Sequence, residues 1–208
     1  MKSESLNHPI LTKSFALIDA EVGEHNLSAA EYAIARRIIH STADFDYLNL
    51  LQCSPNAIAS GIQALKTGTP IVTDVTMVQQ GIATLVGKTF QNPIIAAIAQ
   101  APVAEPGKTR TETGLLKCWA EYPEAIYVIG NAPTALLALC DRIKNSEQVP
   151  ALVIGVPVGF VSVVESKQAL EKIKVPRILI KGRKGGSPVA AAILNALIIL
   201  ATENKINL

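Results

Sequence analysis

Aromatic residues are scarce in this 208-residue chain, at 4% of the total. Its core therefore packs chiefly Ala, Ile, Leu and Val, out of an apolar share of 49%. Charge is sparse too. Nineteen Lys and Arg against seventeen Asp and Glu leave a formal net charge of +2, too small for a general nucleic-acid surface, so any anion site must be local. The three cysteines, Cys53, Cys118 and Cys140, are odd in number, widely spaced and without a C-x-x-C. That supports neither a disulfide framework nor a zinc site, and it points to a reducing cytoplasm. The segment "MKSESLNHPILTKSF" lacks the continuous apolar core of a signal peptide. The longest apolar run, Val189 to Ala201, is interrupted by Asn195 and falls short of the roughly 20 residues that span a bilayer. A protein that is neither secreted nor membrane-bound is expected. Also missing are a G-x-S-x-G elbow, histidines paired at metal-ligand spacing and a G-x-G-x-x-G fingerprint.

What is present reads as alternating strands and helices in one domain spanning residues 1–208. "PIVTDV" (Pro70 to Val75), "AIYVIGN" (Ala125 to Asn131), "ALVIGVP" (Ala151 to Pro157) and "PRILIKG" (Pro176 to Gly182) are β-branched runs ending in turn chemistry, the pattern of strands with buried faces. Helical segments fit between them: Pro55 to Lys66, Thr111 to Ala120, Pro133 to Lys144, Val161 to Lys172 and Pro188 to Ala201. Earlier, Ser28 with Glu31 three residues on makes a capping box, and the spacing predicts a helix from Ala29 to His40 whose apolar residues lie all round. Strand, helix, strand, helix implies right-handed crossovers and a mostly parallel sheet with helices on both faces. Ligands of such sheets sit beyond the carboxyl ends of the strands, so "DVTMVQQG", "GNAPTA", "GVPVGF" and "KGRKGGSP" are the segments of interest. Gln100 to Glu112, with two prolines and a glycine, reads as a mobile loop.

Several residues in these segments could carry chemistry. "LVGKTF" invites a phosphate-loop reading and hence an NTP-binding module, but Gly81 lies six places before Gly87 instead of five, and no strand leads into it. In "GRKGGSP" two adjacent glycines and Ser187 stand before a helix start, with Lys181, Arg183 and Lys184 alongside. That is either an anion site or a basic turn capped by Ser187 with Pro188 following. Asn131 either touches ligand or caps the next helix, capping being commoner. Arg110, between two threonines, could clamp a carboxylate bidentately or simply be solvated. Of three histidines, His8 and His25 fall in polar stretches, while His40 in "RRIIHS" has apolar neighbours. His40 is the best acid or base in the chain. On residue type alone, a structural role for it stays the commoner outcome.

Taken in order, "KSFALIDAE" (Lys13 to Glu21), "RRIIHS", "GTPIVTDVTMVQQGI" (Gly68 to Ile82), "KTRT", "VIGNAPTALLAL" (Val128 to Leu139), "IGVPVGFVSVVESKQAL" (Ile154 to Leu170) and "KGRKGGSPVAAAILNAL" (Lys181 to Leu197) cover nearly the whole chain. Together they resemble the precorrin-8X methylmutase (precorrin isomerase) family, with its cobalt-precorrin-8 branch. The resemblance implies a single-domain, three-layer, Rossmann-like α/β fold with a mostly parallel sheet, a homodimer, and a site near the subunit interface. It also implies a cobalamin-pathway isomerase that moves a methyl group from C11 to C12 of a corrinoid precursor. The product is hydrogenobyrinate, or cobyrinate in the cobalt branch. No external cofactor or protein-bound metal is implied, cobalt entering only with the substrate. Neither nucleic acid nor membrane is a partner, and contact with neighbouring pathway enzymes is transient.

By the same resemblance the catalytic histidine falls on His40, with substrate contacts on Ser14 and Arg110. Asn131, Arg183, Gly185, Gly186 and Ser187 complete the expected substrate site. Ala83 stands where family members often place threonine. A non-catalytic protein that holds or channels the corrinoid is the alternative.

Overall fold

The computed structural model describes residues 9–203. Six short strands form one sheet: β1 (Leu51–Cys53), β2 (Ile71–Thr73), β3 (Ile94–Ala96), β4 (Ile126–Ile129), β5 (Leu152–Gly155) and β6 (Arg177–Ile180), in the order β1-β6-β5-β4-β2-β3. All neighbours are parallel except β1, which runs antiparallel to β6. The α/β class and the mostly parallel sheet are as expected. The helices are α1 (Pro9–Val22), α2 (Ala29–Thr42), α3 (Tyr47–Leu50), α4 (Ala57–Lys66), α5 (Thr76–Lys88), α6 (Arg110–Glu121), α7 (Pro133–Lys144), α8 (Val163–Glu171) and α9 (Ser187–Thr202), with a 3₁₀ turn at Ala97–Gln100.

Alternation along the strands builds two cores. Ile126, Val128, Leu152, Ile154, Ile178 and Ile180 face a layer made by α2, α4, α5 and α9. Tyr127, Ile129 and Val153 face the other, with Leu115 of α6, Leu136 and Leu139 of α7 and Leu170 of α8. Helix α9 is buried along nearly its whole length, which explains why "VAAAILNALIIL" is apolar all round without being a membrane span. Asn195 is accommodated because its Nδ2 donates to the Gly81 carbonyl at 2.9 Å. No helix among the described residues is long and apolar enough to cross a membrane.

Five segments depart from the sequence expectation. β1, Leu-Gln-Cys, has no β-branched residue, and β3 runs into the 3₁₀ turn without an intervening turn residue. "DVTMVQQG" is mainly the start of α5 and not a turn, and this places "GKT" at a helix carboxyl end, where it cannot cradle phosphates. Helix α1 has no buried residue, so no core-facing stripe marks it. The expected loop from Gln100 ends earlier: Thr109 caps α6, its hydroxyl accepting from Glu112 N–H at 3.2 Å.

Helix α6 approaches the 3₁₀ turn through Gly114, where an added Cβ would lie 1.8 Å from the Ala97 carbonyl oxygen. Backbone cannot yield there as a side chain can. Gly114→Ala is therefore expected to cost about 2–3 kcal/mol, read by urea unfolding; a change below about 0.5 kcal/mol, the range of neutral surface substitutions, would refute the close approach.

Candidate functional site

The strand order reverses between the parallel neighbours β2 and β4, since α5 leaves β2 onto one face and α7 leaves β4 onto the other. Such a switch point opens a crevice at the carboxyl edge. Here it is bridged by Asp74, which is 0% exposed. One carboxylate oxygen accepts from Val75 N–H at 2.9 Å and Gly130 N–H at 3.1 Å. The other accepts from Asn131 N–H at 2.6 Å and Ala132 N–H at 2.8 Å. Burial pushes the Asp74 pKa up, and these four N–H groups pull it back. The carboxylate thereby ties down the loop that leads into α7, whose N-cap is Ala132 with no side-chain cap. Asn131 is thus not the cap, and it is exposed at the edge of the crevice. Sequence reasoning missed Asp74; the available signal was an acid directly after an all-apolar strand.

His40 closes α2, whose start carries the expected capping box between Ser28 and Glu31. Ile38 and Ile39 beneath it are 0% and 1% exposed, while His40 itself is exposed. The apolar enclosure expected from "RRIIHS" is therefore not formed around the imidazole by this chain alone. Its described ring neighbour is Phe15 of α1, met edge-on with centroids 5.6 Å apart. Arg36 lies 4.4 Å and Arg37 5.9 Å from the same ring centroid. Arg36 also pairs with Asp19 at 2.9 Å, and Tyr32 donates to Asp19 at 2.6 Å. Burial, then neighbouring Arg36, lowers the Arg37 pKa, against a rise from Glu203. The two arginines thus fasten α1 across α2. Ser14, beside Phe15, is half-buried and donates its hydroxyl to the Ile10 carbonyl at 2.9 Å. His25 stacks on Tyr32, and His8 lies outside the described residues.

The "GRKGGS" turn reaches the same corner. Lys184 pairs with both Asp44 and Asp46 at 2.6 Å, just beyond His40, and its ammonium holds the Asp44 carboxyl below its usual range. Gly185 and Gly186 have φ of +148° and +118°, and a Cβ on Gly185 would lie 2.2 Å from the Val156 carbonyl oxygen. Only glycine fits there. The Gly186 N–H donates to that carbonyl at 2.9 Å, and the Gly185 N–H faces the Tyr47 phenol. Ser187 is the first residue of α9 and does not cap it, the N-cap being Gly186. Arg183 is exposed, its guanidinium 5.6 Å from the ring of Phe160. Arg110 opens α6, its Nε and Nη2 bound to the carbonyls of Ala101 at 3.1 Å and Ile98 at 3.2 Å, which leaves part of its fork for an anion.

These pieces form a continuous rim. A Cβ on Gly130 would lie 2.9 Å from Ser187 Cα, so the Asn131 loop abuts the start of α9. Thr109 and Thr134 hydroxyls meet at 3.0 Å and join the Arg110 side to α7. A separate concavity of about 570 Å³, lined by Thr69, Pro70, Tyr122 and Ala125 among others, lies at the opposite, amino end of β2 and β4 and gathers none of these residues.

The model of the precorrin-8X methylmutase family matches residues 9–200. The chain belongs to that family. A cobalt-precorrin-8 methylmutase from Synechocystis sp. is 59% identical, covering 94% of this chain and 97% of the relative. A precorrin-8X methylmutase from Pseudomonas aeruginosa is 39% identical, covering 94% and 95%. The crystal structure of precorrin-8X methylmutase from Thermus thermophilus has a TM-score of 0.87 at 38% identity, covering 95% of this chain and 98% of that one. The methylmutases are isomerases of cobalamin biosynthesis, which implies a corrinoid substrate. Ala83 sits half-buried on α5.

Asp74→Asn keeps the shape of the carboxyl but turns one acceptor into a donor against two N–H groups. A loss of about 2–3 kcal/mol is expected, measured by denaturant unfolding, and wild-type stability would refute the clamp.

Proposed function

We propose that this chain moves the methyl group of precorrin-8X, or of cobalt-precorrin-8, from C11 to C12, with His40 as general acid and base. The observation carrying this reading is the junction of His40's helix end with the "GRKGGS" turn, made by Lys184 on Asp44 and Asp46 across some 140 residues of chain. It joins the helix end that carries His40 to the turn that carries the exposed Arg183, and this supports reading the two as parts of one site.

The reaction is an isomerisation, so no atom is gained or lost. The His40 imidazolium lends its proton to a ring nitrogen, electron density is drawn from C11, the methyl shifts to C12, and the neutral imidazole takes the proton back. Arg183 and Arg110 face carboxylates at the periphery of the macrocycle, Asn131, Ser14 and Ser187 supply neutral polar contacts, and Gly185 with Gly186 shape the turn. No external cofactor is needed, and cobalt enters only inside the substrate. The Synechocystis relative, at 59% identity, is named for the cobalt substrate and the Pseudomonas one, at 39%, for the metal-free substrate. This favours cobalt-precorrin-8, and comparing turnover of the two decides it.

The working form is a cytoplasmic homodimer that passes product to neighbouring enzymes by transient contact. Ile10 and Leu17 on α1 are 69% and 65% exposed, so apolar side chains reach solvent on the helix that also carries Phe15, the ring against His40. A second copy laid over it supplies the dry enclosure that one chain leaves open, and a proton held away from water goes to the macrocycle.

His40→Ala is expected to lose about 10²–10⁴-fold in turnover, followed through the visible spectrum, while still binding corrinoid. Wild-type binding without spectral change would leave a holding protein instead of an enzyme. Leu17→Asp is expected to sediment as a monomer with reduced turnover; a fully active dimer would remove α1 from the interface.

A further inference from the structure

Lys167 is a charged residue the proposed chemistry does not use, and it is 3% exposed. It lies on α8, and among the described residues no carboxylate pairs with it. A buried ammonium without a counter-ion is costly, and burial brings its pKa down to about 8. Its partners are backbone. Nζ donates to the Gly182 carbonyl at 2.8 Å and to the Lys184 carbonyl at 2.6 Å. The carbonyl between them, that of Arg183, accepts from Gly159 N–H at 3.2 Å. Three successive carbonyls are therefore drawn inward, two by one ammonium and one by the loop that precedes α8. A turn held by its carbonyls in this way presents the Arg183 side chain outward, where it lies exposed beside Phe160. Gly182, at φ +72°, supplies the reversal that brings the first and third carbonyls to the same nitrogen.

We propose that Lys167 is the positioning residue that fixes the Gly182–Lys184 turn and so sets where the Arg183 guanidinium meets a carboxylate of the corrinoid. This rests on Arg183 facing substrate, as proposed above. Lys167 acts through Arg183 and does not touch the macrocycle. A lysine suits the task because a compact ammonium can donate to two convergent carbonyls, which an apolar side chain of equal length would leave unpaired in the interior.

The test is a double-mutant cycle on the full-length protein with Lys167→Met, Arg183→Ala and the pair, reading KM, kcat and melting temperature. Lys167→Met is expected to raise KM about tenfold, which corresponds to about 1.4 kcal/mol, with kcat within about twofold. In the Arg183→Ala background the same substitution is expected to leave KM unchanged. An equal rise in both backgrounds, or a fall in kcat with KM unaltered, overturns the proposal. Should Lys167→Met fail to fold, Lys167→Gln, which keeps a shorter donor, replaces it in the cycle with an intermediate rise expected. If the wild type binds cobyrinate without converting cobalt-precorrin-8, the isomerase reading fails alone, and the cycle is read on the Kd for cobyrinate with the same two outcomes. Loss of cobyrinate binding in the wild type overturns both.

Discussion

Asp74 sits at the point where the strand order reverses, and its two oxygens gather four backbone N–H groups from two separate loops. Hydrogen bonds to a charged group are worth about 1.5–3 kcal/mol each, while stripping water from a buried carboxylate costs several kcal/mol. The balance leaves a modest net stabilisation and a large geometric effect. The loop after β4 cannot move relative to β2 without breaking charged contacts in a dry interior. Because Gly130 touches Ser187 Cα, the start of α9 is referred to the same point, and through the "GRKGG" turn so is the end of α2. The rim carrying His40, Arg183 and Asn131 is one connected piece built outward from that carboxylate.

Most of the cations around this corner are engaged within the chain itself. Lys184 is matched to two aspartates, Lys167 to two carbonyls, Arg110 in part to two more, and Arg36 to Asp19 and an aromatic ring. Arg183 is exposed, its guanidinium beside Phe160. In the proposed site the free charges are therefore few, and their places are fixed by the residues that the other cations hold.

How much of this was legible follows from how each feature writes itself into the chain. Helix α2 announced itself through its capping box, and β2, β4, β5 and β6 through β-branched runs bounded by turns. β1 has no β-branched residue, β3 continues straight into a 3₁₀ turn, and α5 begins with Thr76 and Val78, which read as strand or turn. His40 was singled out only through the ordered motifs around it, since its residue type and apolar neighbours alone favoured a structural role; the imidazole is exposed. Asp74 and Lys167 were opaque for a shared reason. A lone charge after a strand or on a helix ordinarily means solvent, and only the folded chain shows that backbone groups surround it.

Helix α1 buries none of its residues yet carries Phe15, the ring against His40. An element with so few apolar contacts within its own chain has an opening free energy near the bottom of the range for folded segments. Within the chain it is held by the Arg36–Asp19 pair and by the Phe15 ring against Arg36 and Arg37, and in the proposed homodimer a cover over its outer face would add to that hold. Through mass action, protein concentration would then bear on how often α1 opens, and amide hydrogen exchange along residues 9–22 is a direct gauge of it.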